Sequence, residues 1–186
     1  MDNVRTALIT GASSGIGAAL AVALAAPGVT LHLSGRNAVR LEAVAQTCRG
    51  RGVVVTTTAL DVCDADAMAA WISGAGHLDL VVANAGISGR SREGGAESWD
   101  QTRAFFETNL GGVLNTVLPA MVVMVEQLPG AGGARARGVP MVDGLGCAHS
   151  WAFSAIPLAI STETRATIGA IEVDLRGELD RAARGA

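Results

Sequence analysis

Hydrophobic positions along this chain fall into two alternating periods, one suited to strands and one to helices. Thr6 to Thr10 is a short apolar run that ends in a glycine-rich turn, and from Ile16 the chain is rich in Ala and Leu until Pro27-Gly28 stops it. That predicts strand, turn, helix. Thr30 to Leu33 reads as a second strand, after which Asn37 can cap a helix carrying Leu41, Val44, Ala45 and Cys48 on one face. Val53 to Leu60, rich in Val and Thr, is a third strand, and Asp64 can cap a helix that turns Met68, Trp71 and Ile72 inward. Leu78 to Ala83 is continuously apolar, as suits a central parallel strand covered on both faces.

Ser98 and Gln101 have capping-box spacing and open the longest predicted helix, through Phe105, Phe106 and Leu110 toward Gln127, with a kink expected at Pro119. Residues 129–138 read as a loop, Val139 to Val142 as a fifth strand despite Pro140, and a last helix is expected from about Ser161, with Ile168, Ile171, Leu175 and Leu179 on one face. Strands and helices thus alternate from end to end. Right-handed crossovers turn that order into an α/β fold in three layers, a doubly wound parallel sheet of about five strands between helices. No repeat or linker interrupts it, so residues 1–186 read as a single domain.

The composition, 49% hydrophobic and 17% charged in 186 residues, is that of a folded globular chain. Its net charge of −3 provides no basic field for nucleic acid. Cys48, Cys63 and Cys147 lack paired spacing and read as small reduced hydrophobes. The longest apolar run, Ala18 to Ala26, is too short for a bilayer, and no leader is apparent, so a soluble cytoplasmic protein is expected. His32, His77 and His149 have no metal-ligand spacing, and Trp71, Trp99 and Trp151 read as packing residues. Two residue types are missing altogether: there is no Tyr, and all fourteen basic residues are Arg.

Gly11-Ala12-Ser13-Ser14-Gly15-Ile16-Gly17 lies between a strand and a helix, where bare glycines let the backbone approach a pyrophosphate favoured by the helix N-terminus. The domain is therefore read as dinucleotide-binding. Arg36, at the end of the second strand, suits the 2′-phosphate of NADP better than the ribose hydroxyls of NAD, with no acid beside it to repel that group. Gly11-Ala12-Ser13-Ser14-Gly15 also satisfies the hydrolase pattern Gly-x-Ser-x-Gly with Ser13 as nucleophile, but no histidine has a convincing partner acid.

Thr10 to Gly17 resembles the Thr-Gly-x-x-x-Gly-x-Gly turn of the short-chain dehydrogenases/reductases. Asp61-Val62 matches the acidic pair that caps the adenine in that family, Ala83-Asn84-Ala85-Gly86 its Asn-Asn-Ala-Gly motif except at the first position, and Asn109 its structural and catalytic asparagine. The resemblance implies a Rossmann-type domain that binds a nicotinamide dinucleotide, in a homo-oligomeric oxidoreductase acting on a small alcohol or carbonyl. It places the cofactor against Gly11, Ser13, Ser14, Gly15, Ile16, Gly17, Arg36, Asp61, Val62, Asn84, Ala85 and Gly86. NADP is the cofactor expected and Asn109 the catalytic residue.

The family's remaining catalytic groups, a Ser after the fifth strand and a Tyr-x-x-x-Lys on the next helix, have no counterparts. Ser161 falls at the Tyr position, Arg165 at the Lys position, and Asp143-Gly144 near the Ser. A serine is less acidic than a phenol and an arginine cannot give up its proton, so fast carbonyl reduction is not expected. The sequence also ends before two strands that the family adds, which reads as a truncated sheet. Residues 130–165 match the family poorly, which suggests a disrupted stretch. A catalytically inactive dinucleotide-binding module is the competing expectation.

Overall fold

The computed structural model describes residues 4–87, 98–127, 137–143 and 154–160. Its elements are β1 (Thr6–Ile9), α1 (Gly15–Leu24), β2 (Thr30–Gly35), α2 (Ala38–Arg49), β3 (Val54–Ala59), α3 (Ala65–Ser73), β4 (Leu80–Val82), α4 (Trp99–Phe106), a π-helical turn (Glu107–Gly111), α5 (Gly112–Glu126), β5 (Arg137–Asp143) and β6 (Ser154–Ile160). The sheet order is β3-β2-β1-β4-β6-β5, and the first four strands run parallel. This is the expected Rossmann-type α/β fold.

Leu31, Leu33 and Ile9 are fully buried beneath α1 and α2, where Leu20, Leu24, Leu41 and Cys48 close one face of the sheet. Leu8 and Val81 look the other way, onto Met68 and Ile72 of α3 and Ala120 and Met124 of α5. Each such buried leucine contributes about 2 kcal/mol of transfer free energy, so the parallel strands are held from both sides. The chain steps outward from β1 to β3 and returns to β4 on the other side of β1. A crevice therefore opens at the C-terminal ends of β1 and β4.

Each predicted cap is made. Asn37 Oδ1 accepts from Arg40 N at 2.9 Å, Asp64 Oδ1 from Ala67 N at 3.0 Å, and Ser98 and Gln101 close a reciprocal capping box. The long helix departs from α geometry at Glu107–Gly111, ahead of Pro119, which sits within α5. Ala18–Ala26 remains the longest unbroken apolar run, but taken as one helix Trp99–Glu126 is, by length and composition, apolar enough to cross a bilayer. It packs on the sheet through Thr116, Ala120 and Met124 and leaves its opposite face exposed.

The fifth predicted strand exists but does not join β4. Instead β6 lies between them, antiparallel to both, with Leu80 opposite Ile160 and Pro140 opposite Pro157. A proline in each strand obscured the pair, because a residue without an N–H breaks the usual strand signal. The predicted last helix lies outside the described residues.

Candidate functional site

Thr10 stitches the turn after β1 to the segment after β4. Its Oγ1 donates to Val82 O at 3.3 Å and accepts from Asn84 N and Ala85 N at 3.0 and 3.1 Å, while Asn84 Nδ2 donates to Thr10 O at 3.1 Å. The two backbones approach so closely that a Cβ on Gly11, at φ +67, would lie 2.7 Å from Ala85 Cα. Only glycine fits there. Gly17 serves the same packing: a Cβ there would sit 2.5 Å from Gly11 O, so this glycine seats α1 against the turn instead of lining the crevice.

The N-terminus of α1 is different. Ser14, its N-cap, makes no side-chain bond to the helix, whereas α2, α3 and α4 are each capped by their own Asn, Asp or Ser. The leading N–H groups of α1, with the positive end of its dipole, are left for something else. Gly15 stands there at φ +58, and a Cβ on it would meet nothing within 4 Å.

These groups face a cleft of about 800 Å³, well within the range of cofactor sites. Gly11, Ser13, Ser14, Gly15 and Ile16 line it from the first turn, Asp61 and Val62 from the end of β3, and Asn84, Ala85 and Gly86 from the segment after β4. Arg36 lines it beside Asn37 and Arg40, and Asn109 beside Ile87 and Thr108. All the sequence-derived site residues except Gly17 therefore meet in one cleft. Gly35, Asn37, Arg40, Leu60, Ile87 and Thr108 were missed, because each flanks a motif residue without belonging to the pattern that marks it.

The expectation of an acid-free Arg36 is corrected. Its guanidinium lies 4.0 Å from Asp61 Oδ2, both side chains being largely exposed at 62% and 46%. An exposed pair at that distance is weak. Asp61 Oδ1 also accepts from Cys63 N at 3.0 Å. Val62 is fixed from the long helix, where Asn115 Nδ2 donates to its carbonyl at 2.9 Å and Gly112 leaves room for its side chain. Those two contacts span about fifty residues of sequence, which local patterns do not report.

Asn109 acts between elements. Its Oδ1 accepts from Ile87 N and its Nδ2 donates to Ile87 O, both at 2.8 Å, so the amide clamps the segment after β4 to the π-helical turn. Thr108, next to it, is buried with its Oγ1 3.6 Å from Cys63 Sγ. Among the described residues lining this end of the cleft, Gly86, Ile87, Thr108 and Asn109, none is titratable near neutral pH. Asp143 ends β5, while Gly144, Ser161 and Arg165 lie outside the described residues.

The other candidates separate from the cleft. His77 does have a partner acid, Asp79 Oδ1 at 3.0 Å, but that carboxylate also accepts from Arg5 N and Thr6 N at the N-terminal edge of the sheet, opposite the cleft. His32 Nδ1 pairs with Thr56 Oγ1 at 2.9 Å, and burial pushes its pKa down. Among the described residues Ser13 thus has no histidine base beside it, and the hydrolase reading finds no support there. No metal-ligand cluster occurs among the described residues. Cys48 is buried, with its thiol pKa pushed up by burial, but Cys63 is exposed and Trp99 is 75% exposed, against the expectation of buried packing residues. Cys147, His149 and Trp151 lie outside the described residues.

Residues 5–131 match the family model for short chain dehydrogenases. The chain belongs to the short-chain dehydrogenase family. An uncharacterized oxidoreductase of Myxococcus xanthus is 38% identical over 178 residues, 93% of this chain and 67% of that protein. That similarity runs on through residues 130–165, where the family model stops. A metagenomic short-chain oxidoreductase solved in complex with NADP is 29% identical, with a TM-score of 0.58, over 66% of this chain and 57% of that one. Carveol dehydrogenase from Mycobacterium avium, solved in complex with NAD, shares the fold at 24% identity and a TM-score of 0.58, over 66% of this chain and 50% of that one. The chain thus spans half to two thirds of the length of these short-chain dehydrogenases.

Proposed function

We propose that this chain, as one dinucleotide-binding domain, binds NADP in the cleft at the C-terminal ends of β1 to β4. The supporting observation is the N-terminus of α1, which no side chain caps and whose Gly15 leaves open space before it. Gly11, Ser13, Ser14, Gly15 and Ile16 would hold the pyrophosphate, with Gly17 seating the helix behind them. Asp61 and Val62 would border the adenine, Arg36 the 2′-phosphate, and Asn84, Ala85 and Gly86 the nicotinamide side of the cleft. When bound, the nicotinamide supplies or accepts a hydride at a substrate carbon.

Its family membership supports reading the chain as part of an oxidoreductase of a small alcohol or carbonyl, and a cytoplasmic location fits that reading. A second reading is favoured by one observation: with no Tyr or Lys in the chain and Asn109 bonded through its amide to Ile87, the described nicotinamide side of the cleft offers no titratable group to donate the proton for carbonyl reduction. Asn109 then keeps the segment after β4 in place and takes no part in proton transfer. The chain would bind the cofactor and turn it over slowly or not at all.

Calorimetric titration with NADPH and NADH tests the binding, and an absorbance assay over a panel of alcohols and carbonyls tests the chemistry. NADPH is expected to bind more tightly, and Arg36→Ala to narrow the gap by an amount set by a charge-assisted contact worth about 1.5 to 3 kcal/mol. Equal affinity for the two nucleotides in the unmodified chain would refute the choice of NADP. Rapid turnover would refute the binding-only reading.

A further inference from the structure

β3 ends at Ala59, and the chain turns through residues 60–64 into α3, with Asp61 and Val62 of that turn lining the cleft. Most of the turn is held close at hand. Leu60 N donates to Gly35 O at 3.3 Å, Cys63 N to Asp61 Oδ1 at 3.0 Å and Asp64 N to Asp61 O at 3.0 Å. The Val62 carbonyl is bonded elsewhere: it accepts from Asn115 Nδ2, in the middle of α5, at 2.9 Å. Gly112, three residues earlier and so on the same face of α5, leaves the space that the Val62 side chain fills, since a Cβ there would lie 2.5 Å from Val62 Cγ2. Backbone and side chain of this one residue are therefore both set by the long helix, while Asn115 itself stands outside the lining of the cleft.

We infer that Asn115 is a positioning residue for nucleotide binding: through the Val62 carbonyl it holds the apolar wall against which the adenine lies. This rests on the dinucleotide reading of the cleft. Val62 is 5% exposed and packs inward on Leu8 and Met68, so only the edge that faces the cleft is left to meet a base. Contact of that kind is short-ranged, and a gap of about 0.5 to 1 Å forfeits a quarter to a half of it. A turn released from Asn115 can drift by that much. Asn is also a poor residue for the middle of a helix, so its presence in α5 is offset by the bond it makes and not by helix propensity.

The test separates two parts of the cofactor. The whole chain is titrated calorimetrically with 5′-AMP and with inorganic pyrophosphate, and the unmodified protein is compared with Asn115→Ala and Asn115→Leu. Asn115 is only half-buried, and Ala and Leu are both better helix formers, so α5 should persist in each variant, as circular dichroism will check. Pyrophosphate needs only the turn before α1, which Thr10 and Asn84 hold without Asn115. Both variants are expected to weaken 5′-AMP roughly fivefold, as the loss of one hydrogen bond implies, and to leave pyrophosphate unchanged. The loss should be at least as large in Asn115→Leu, whose side chain, similar in shape to Asn, keeps water from the freed carbonyl. An unchanged affinity for 5′-AMP in Asn115→Ala, or an equal loss for both probes, overturns the inference and spares the dinucleotide reading. NADPH binding with no binding of 5′-AMP to the unmodified chain overturns it as well. Failure of NADPH itself to bind would remove both.

Discussion

Gly15 and Gly28 share a left-handed backbone, at φ +58 and +85, and at each an added Cβ would find open space. Gly15 begins α1 at the cleft, while Gly28 leads from α1 into β2 at the far end of the sheet. Valine at either position therefore carries a similar strain, about 1 to 3 kcal/mol, but only at position 15 does the side chain stand where a pyrophosphate would lie. Gly15→Val and Gly28→Val are expected to lower Tm alike with helical circular dichroism retained, and Gly15→Val alone to lose NADPH binding. Full binding by Gly15→Val would make the turn purely structural. Asn109→Ala strips Ile87 of two 2.8 Å hydrogen bonds and should cost about 2 kcal/mol, read from the urea midpoint. An unchanged midpoint would return Asn109 to a role outside the fold. At this scale the site was largely legible, since glycine spacing, Asp61, Asn84 and Asn109 are written in local motifs. Arg40 and Asn115 were not, because what they do depends on groups brought near only by the fold.

Elements were legible where a local rule sets them. Asn37, Asp64 and the Ser98–Gln101 box each do what their spacing implies, since a cap is decided within four residues. The π-helical turn at Glu107–Gly111 left no trace, because one wider turn barely disturbs the apolar period that marks a helix. The place of β6 was equally hidden, since pairing across a sheet is a long-range choice. One cross-strand pair has a measurable consequence. His32 on β2 faces Thr56 on β3, and burial holds its imidazole below the usual 6.5. The unfolded chain then takes up the proton first as pH falls, so stability is unaffected well above 6.5 and declines below it. Urea unfolding at pH 7.5 and 5.5 should show a smaller loss in His32→Gln than in the unmodified chain, the difference bounded by about 1.4 kcal/mol per pH unit. Equal losses would show that His32 titrates as freely folded as unfolded.

Across the whole molecule, the helices from Trp99 to Glu126 carry two opposed faces. Gly112, Thr116, Ala120 and Met124 are buried, while Phe106, Leu110, Leu114, Leu118 and Val122, spaced four apart, are exposed by 47% to 60%. That outer stripe runs roughly 24 Å at the helical rise of 1.5 Å per residue, an unusual amount of connected apolar surface to leave in water. It is also self-complementary. An antiparallel copy centred on Leu114 sets Phe106 against Val122 and Leu110 against Leu118, and brings exposed Arg103 of one chain within a helical turn of exposed Glu126 of the other. A two-fold contact of this kind closes on itself and leaves no face for further growth. Ile168, Ile171 and Leu175, read from the sequence as one face of the last helix, lie outside the described residues. Light scattering at micromolar concentration is therefore expected to report twice the chain mass. Leu114→Glu sets two carboxylates against each other at the centre of the contact and should give a monomer with unchanged circular dichroism. A monomer in the unmodified chain would mean that this face meets no second copy.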